Sequence, residues 1–123
     1  MLGRKKTLRA GLIGLGMMGR HHARNLRSLE DVELVAVADA HGDPHGAAPG
    51  LEVLPDVEAL IAAGIDYAVV AVPTQFHRDV AMALAEAGIH TLVEKPLAFD
   101  IGEAEEITAA FEKAGLVGAV GYI

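Results

Sequence analysis

The feature that most constrains this chain is a triplet of glycines, Gly14-x-Gly16-x-x-Gly19, set between an apolar run and a segment of helical periodicity. Glycine weakens the interior of a helix or strand, because it packs nothing and loses the most backbone freedom on folding. Three at this spacing suit a strand that turns sharply into a helix. Gly14 then permits the tight turn, Gly16 lets an anion approach the backbone, and Gly19 lets helix and strand pack closely. The first amides of such a helix have no partner inside it and point at whatever lies beyond. The same spacing also fits a glycine-rich turn in other α/β domains, so its surroundings decide its meaning.

Those surroundings alternate short apolar runs with helical segments. Residues 8–13 read as a strand, 17–29 as a helix, 33–38 as a second strand and 51–54 as a short third. Three glycines and two prolines between His41 and Gly50 exclude a long helix there. Asp56 is expected to cap a helix running to Ala63, with Gly64 as its stop. Residues 67–72 form a continuous apolar run, as expected of a strand covered on both faces. Thr74 is placed to cap the next helix, 76–87, which Gly88 ends. A fifth strand follows at 89–93. Asp100-Ile101-Gly102-Glu103 resembles a capping box opening a helix to Ala114, and 116–123 reads as a sixth strand. Strands that alternate with helices pair in parallel, through long right-handed crossovers. The expected fold is therefore α/β: a Rossmann-type, doubly wound parallel sheet of about six strands in three layers, ordered 3-2-1-4-5-6.

Composition narrows the class further. The 123 residues suit one domain; the boundary is set at residue 9, with residues 1–8 as a basic tail. Hydrophobic residues make up 52% and charged residues 22%, which excludes a disordered chain. Without cysteine there is no disulfide framework, no thiolate nucleophile and no cysteine zinc site, and a reducing cytoplasm fits. The net charge is −7, yet seven of the ten basic residues lie within residues 1–27, where no acid occurs. The rest of the chain would repel phosphate, so no nucleic-acid partner is expected. Arg4, Lys5, Lys6 and Arg9 read as a solvated tail. The basic start followed by Ala10–Gly19 imitates a signal peptide, but its four glycines make a poor helical core. No stretch of about 18 apolar residues is free of charge, so no membrane span is expected.

Several residues carry chemistry at these positions. Asp39 ends the second strand 20 residues after Gly19, where a carboxylate meets the hydroxyls of an adenosine ribose. It also suits a turn or cap. Beside it a 2′-phosphate would meet like charge, at a cost of about 4 kcal/mol for charges about 4 Å apart at an effective dielectric of about 20. Ala40 and His41 follow, not the arginine that often accompanies a 2′-phosphate, so NAD is favoured and NADP less so. Arg20, on the first helix near the phosphates, weakens that preference. Arg20, Arg24 and Arg27 share one helix face and read as solvated. Of His21 and His22, one packs inward and the other is wet. His41, Asp43 and His45 make a poor zinc set in a flexible loop, and no metal is expected.

Pro73-Thr74-x-x-His77 follows the fourth strand at the edge where open sheets bind ligands. There His77 either touches cofactor or substrate, or caps and packs. Glu94-Lys95-Pro96 ends the fifth strand at the same edge. Lys95 either faces solvent or donates to a substrate hydroxyl and moves its proton, while Pro96 restricts the backbone and can take the cis form.

The runs Gly11-Leu12-Ile13-Gly14-Leu15-Gly16-Met17-Met18-Gly19-Arg20-His21-His22-Ala23-Arg24-Asn25-Leu26, Val35-Ala36-Val37-Ala38-Asp39, Ala68-Val69-Val70-Ala71-Val72-Pro73-Thr74-x-x-His77 and Val93-Glu94-Lys95-Pro96-Leu97-Ala98 resemble the amino-terminal half of the Gfo/Idh/MocA oxidoreductases. The likeness runs from Arg9 to Ile123, and Glu94-Lys95-Pro96 is its specific part. It implies NAD or NADP binding, and oxidation or reduction of a hydroxyl on a sugar, inositol or similar polyol. It implies cofactor contacts from Gly14, Leu15, Gly16, Met17, Met18, Gly19, Asp39, Ala40, Ala71, Val72, Pro73, Thr74, His77, Glu94 and Lys95. Lys95 is its catalytic residue, Pro73, Thr74, His77 and Glu94 line the nicotinamide end, and the last strand passes close by. It further implies a second domain with a catalytic histidine, the substrate pocket and most homo-oligomer contacts. That domain is expected to be absent, since the last apolar run stops at Tyr122-Ile123 without a polar tail, as expected of a truncated chain. The segment 41–50 departs from the family by replacing most of the second helix. The expectation is a cofactor-binding domain with no significant turnover by itself; the alternative is a stand-alone dinucleotide-sensing or interaction module, separated from the first by what the reading frame encodes after Ile123.

Overall fold

A computed structural model describes residues 7–121. Its elements are β1 (Leu8–Ile13), α1 (Met17–Ser28), β2 (Val32–Ala38), β3 (Val53–Leu54), α2 (Val57–Ala62), β4 (Tyr67–Val70), α3 (His77–Glu86), β5 (His90–Glu94), α4 (Ile101–Ala114) and β6 (Gly118–Gly121). The strands form one parallel sheet in the order β3-β2-β1-β4-β5-β6, as the alternation predicts. Helices α2, α3 and α4 pack on one face around Leu60, Leu84, Ile107 and Phe111. Helix α1 and part of the loop after β2 cover the other, around Leu12, Leu15, Ala23, Leu26 and Ala48.

Strand β1 follows the two-residue period: Ala10 and Leu12 face α1, while Ile13 faces the other core. β2 breaks it. Ala10 pairs with Leu34 but Gly11 pairs with Ala36, so Val35 is an extra residue. Leu34 and Val37 consequently face the same core although they are three apart.

Several boundaries move. β3 is confined to Val53–Leu54 because it pairs only with Val37 and Ala38 at the end of β2; Leu51 instead closes a turn on Ala48 O (3.2 Å). β4 stops at Val70: Ala71 N still reaches Ile13 O (2.8 Å), but Pro73 soon removes a donor and the chain turns into a 3-10 turn. The sixth strand begins at Gly118, two residues later than expected; Tyr122 and Ile123 lie outside the described residues, as do residues 1–6 of the expected basic tail.

Leu8 and Arg9 belong to β1, so the basic stretch is not all tail. Arg9 N donates to Asp66 Oδ2 (2.7 Å), and its guanidinium donates to Gly64 O (2.7 Å) and Ala63 O (3.2 Å), capping the carboxyl end of α2. Asp56 and Asp100 cap as predicted, accepting from Ala59 N (2.9 Å) and Glu103 N (2.8 Å). Thr74 does not: it opens the 3-10 turn, and neither that turn nor α3 has a side-chain cap. Arg78 ties α3 to α4 through Glu106 (2.6 Å). No helix among the described residues is long and apolar enough to cross a membrane.

Candidate functional site

The carboxyl ends of β1, β2, β4 and β5 bring the candidate residues to one edge of the sheet. At its centre the glycines divide their work. Gly14 has φ +103°, and a Cβ there would stand 2.5 Å from the Ala71 carbonyl carbon. A Cβ on Gly19 would stand 1.8 Å from Gly14 O. Both are therefore required by the fold itself. Gly16 differs: a Cβ there would meet nothing within 4 Å, so its smallness serves no contact inside the domain.

Gly16 is also the N-cap of α1, and the helix has no side-chain cap and no acid in its first turn. The first helical amide bond is Arg20 N to Gly16 O (3.0 Å). The amides of Met17, Met18 and Gly19 thus have no acceptor within the helix, at its electropositive end. Arg20 Nε is buried without a hydrogen-bond partner. An open glycine cradle and amides without a helical acceptor are what an anionic diphosphate would complete.

Asp39 faces this mouth. Its Oδ2 accepts from Leu15 N (2.7 Å) and its Oδ1 from His41 N (2.8 Å), while its own N–H reaches Leu54 O (2.9 Å). A carboxylate offers about four acceptor positions, so two remain for other donors. The acid thus acts as a turn anchor and still presents acceptors beside an exposed Ala40.

On the other side of Gly14, Ala71 packs against the turn, and Val72, Pro73 and Thr74 run along the edge. His77 lies behind them, 1% exposed, with Nε2 2.8 Å from Val72 O and Nδ1 3.1 Å from Leu97 O. Glu94 is 8% exposed, and its Oε1 is hydrogen-bonded to Nε2 of His22 on α1. His22 is thus the inward histidine of its pair and His21 the exposed one. Lys95 is exposed at the edge, and the Lys95–Pro96 bond is cis. The edge therefore holds Gly14–Gly19, Asp39, residues 71–74 and Lys95, while His77 and Glu94 stand behind it. The pairing of His22 with Glu94 spans 72 residues and left no local signal in the sequence.

Elsewhere, Asp43 accepts from Ala47 N (2.7 Å) and Ala48 N (2.9 Å), which folds the loop after β2 against α1. No group of three metal-ligating side chains occurs among the described residues. Burial raises the phenol pKa of Tyr67, at the far end of β4 from this edge.

The sequence model of an oxidoreductase family described as an NAD-binding Rossmann fold matches residues 8–122. UDP-N-acetylglucosamine 3-dehydrogenase of Acidithiobacillus ferrooxidans is 33% identical over 117 residues, covering 94% of this chain and 37% of that protein. The NAD(+) scyllo-inositol 2-dehydrogenase of Bacillus subtilis is 30% identical over 122 residues, covering 94% and 36%. The crystal structure of scyllo-inositol dehydrogenase from Lactobacillus casei with bound NAD(H) and scyllo-inositol superposes with a TM-score of 0.84 at 27% identity, covering 94% and 36%. The chain thus spans a little over a third of the length of these relatives.

Proposed function

This chain belongs to the Gfo/Idh/MocA oxidoreductase family and matches its NAD-binding Rossmann domain, and from that premise we propose that it binds NAD in preference to NADP for hydride transfer at a hydroxyl-bearing carbon of a sugar, inositol or related polyol. One observation carries the reading: the uncapped start of α1 opens above a glycine that nothing in the fold requires, with the Asp39 carboxylate facing it. Gly14, Leu15, Gly16, Met17, Met18 and Gly19 would line the diphosphate, with the amides of Met17, Met18 and Gly19 as donors. Asp39 and Ala40 would meet the adenosine ribose, where the carboxylate disfavours a 2′-phosphate. Ala71, Val72, Pro73 and Thr74 would border the nicotinamide end, with Glu94 and His77 behind it. The dinucleotide, when bound, supplies the hydride-accepting ring. Lys95 would donate to the substrate hydroxyl and take up or release its proton at Nζ.

Residues 9–123 form the proposed cofactor domain. The relatives' greater length supports a second domain that completes the substrate pocket and the oligomer contacts. This chain by itself is expected to bind cofactor without significant turnover. The test is calorimetry with NAD and NADP. NAD should bind more tightly, and Asp39→Ala should weaken it by about tenfold or more, the effect of losing a charge-assisted hydrogen bond. No heat at millimolar NAD removes the reading.

A further inference from the structure

Lys95 sits between two part-buried polar links, one on each face of the sheet. The residue before it, Glu94, is hydrogen-bonded to His22 on the α1 side. Two residues after it, Leu97 O lies 3.1 Å from His77 Nδ1, and Leu97 packs into the core under α2, α3 and α4. His77 Nε2 meanwhile lies 2.8 Å from Val72 O, which joins the same ring to the turn after β4. We propose that His22 and His77 are a pair of positioning residues that clamp residues 94–97 from opposite faces of the sheet and so set where Lys95 projects.

Burial argues for this directly. His77 is 1% exposed and Glu94 8%, and polar groups taken out of water are tolerated only when paired. A side chain that only filled the space at position 77 would need no polar atom. The imidazole instead stands between two turns that lie 25 residues apart, Val72 and Leu97, with a ring nitrogen within hydrogen-bond distance of each carbonyl and an N–H to donate, and both turns border the candidate site. His22 does the same from the helix that opens on the diphosphate mouth, so cradle and lysine are referenced to one frame. The Lys95 backbone also reaches β6 through Gly121 O (3.3 Å), so the two anchors act on a strand end already held in the sheet.

The inference rests on the reading of Lys95 as a substrate-facing group, and its test does not need cofactor or turnover. The chain has four lysines, Lys5, Lys6, Lys95 and Lys113. Reductive methylation with 13C-formaldehyde gives each a separate dimethylamino signal, and Lys95→Arg assigns that of Lys95. His22→Gln and His77→Gln should each move or broaden the Lys95 signal while that of Lys113, on α4, stays in place. His77→Asn, whose amide nitrogen falls near the position of Nδ1 and keeps a donor toward Leu97, should return it toward the wild-type position. A Lys95 signal unchanged in the folded glutamine variants overturns the clamp; if His77→Gln does not fold, His22→Gln decides alone. An NAD titration of the wild-type chain in the same tube reports separately on the reading beneath it, since loss of binding there leaves the lysine signals interpretable.

Discussion

At the scale of single residues, the three glycines of the turn should separate on mutation although the motif treats them alike. Gly16→Ala places a methyl in open space at an extended N-cap, so urea unfolding should shift by only the cap preference of glycine over alanine, about 1 kcal/mol or less. The same methyl stands where a diphosphate would lie, so NAD affinity should fall sharply. Gly19→Ala puts its Cβ 1.8 Å from Gly14 O, and backbone must move to admit it. That variant should lose about 2 kcal/mol or more of stability along with binding, an overpacking effect that cannot be relieved by a rotamer change. Equal unfolding curves for the two would contradict this division. The place of His77 in the Pro73-Thr74-x-x-His77 motif admitted both contact and packing, and only its surroundings, two carbonyl oxygens and almost no exposure, assign it to a buried post behind the edge.

At the scale of elements, helix ends carry the information. Asp56 and Asp100 each accept an amide three residues on, which local sequence predicts because a short acid before a helix competes for its free N–H groups. Arg9 is the contrasting case. It sits in a basic run and reads as tail, yet its guanidinium closes the carboxyl end of α2, 54 and 55 residues away. Arg9→Ala should therefore destabilise the chain by about 0.5–1 kcal/mol in thermal or urea melts, and amide exchange should rise first in the last turn of α2. Asp100→Ala should cost about 1 kcal/mol, with fraying confined to the first turn of α4. A neutral result for Arg9 would return it to the tail.

At the scale of the whole molecule, the sheet is covered unevenly. Among the described residues three helices pack one face, whereas α1 and a loop serve the other, and no strand pairs with β6 on its outer side. Leu84, fully buried on the inner face of α3, should cost about 2–5 kcal/mol on change to alanine, a large share of the roughly 5–15 kcal/mol typical of a domain. Leu92, half-buried on β5 and facing the α1 side, should cost less than half as much in the same denaturant titration. Near-equal values would mean that the second face is as well packed as the first. The turns after β1, β2, β4 and β5 converge on the candidate edge for a different reason, because parallel strands all point their carboxyl ends one way.

Sequence by itself determined the alternation of strands and helices, the strand order, the turn glycines and the capping acids. Each of these is written in neighbours a few residues apart: periodicity, a missing Cβ, or an acid beside free amides. The likeness to an oxidoreductase family was legible in the same local runs, and residues 8–122 match it. Tertiary structure alone decided the rest. The extra residue in β2, the two-residue β3, the Arg9 cap, the His22–Glu94 pair and the two carbonyls on His77 all depend on which distant segments the sheet brings together. Such contacts arise from packing between elements, and no short stretch of chain carries the geometry that selects them.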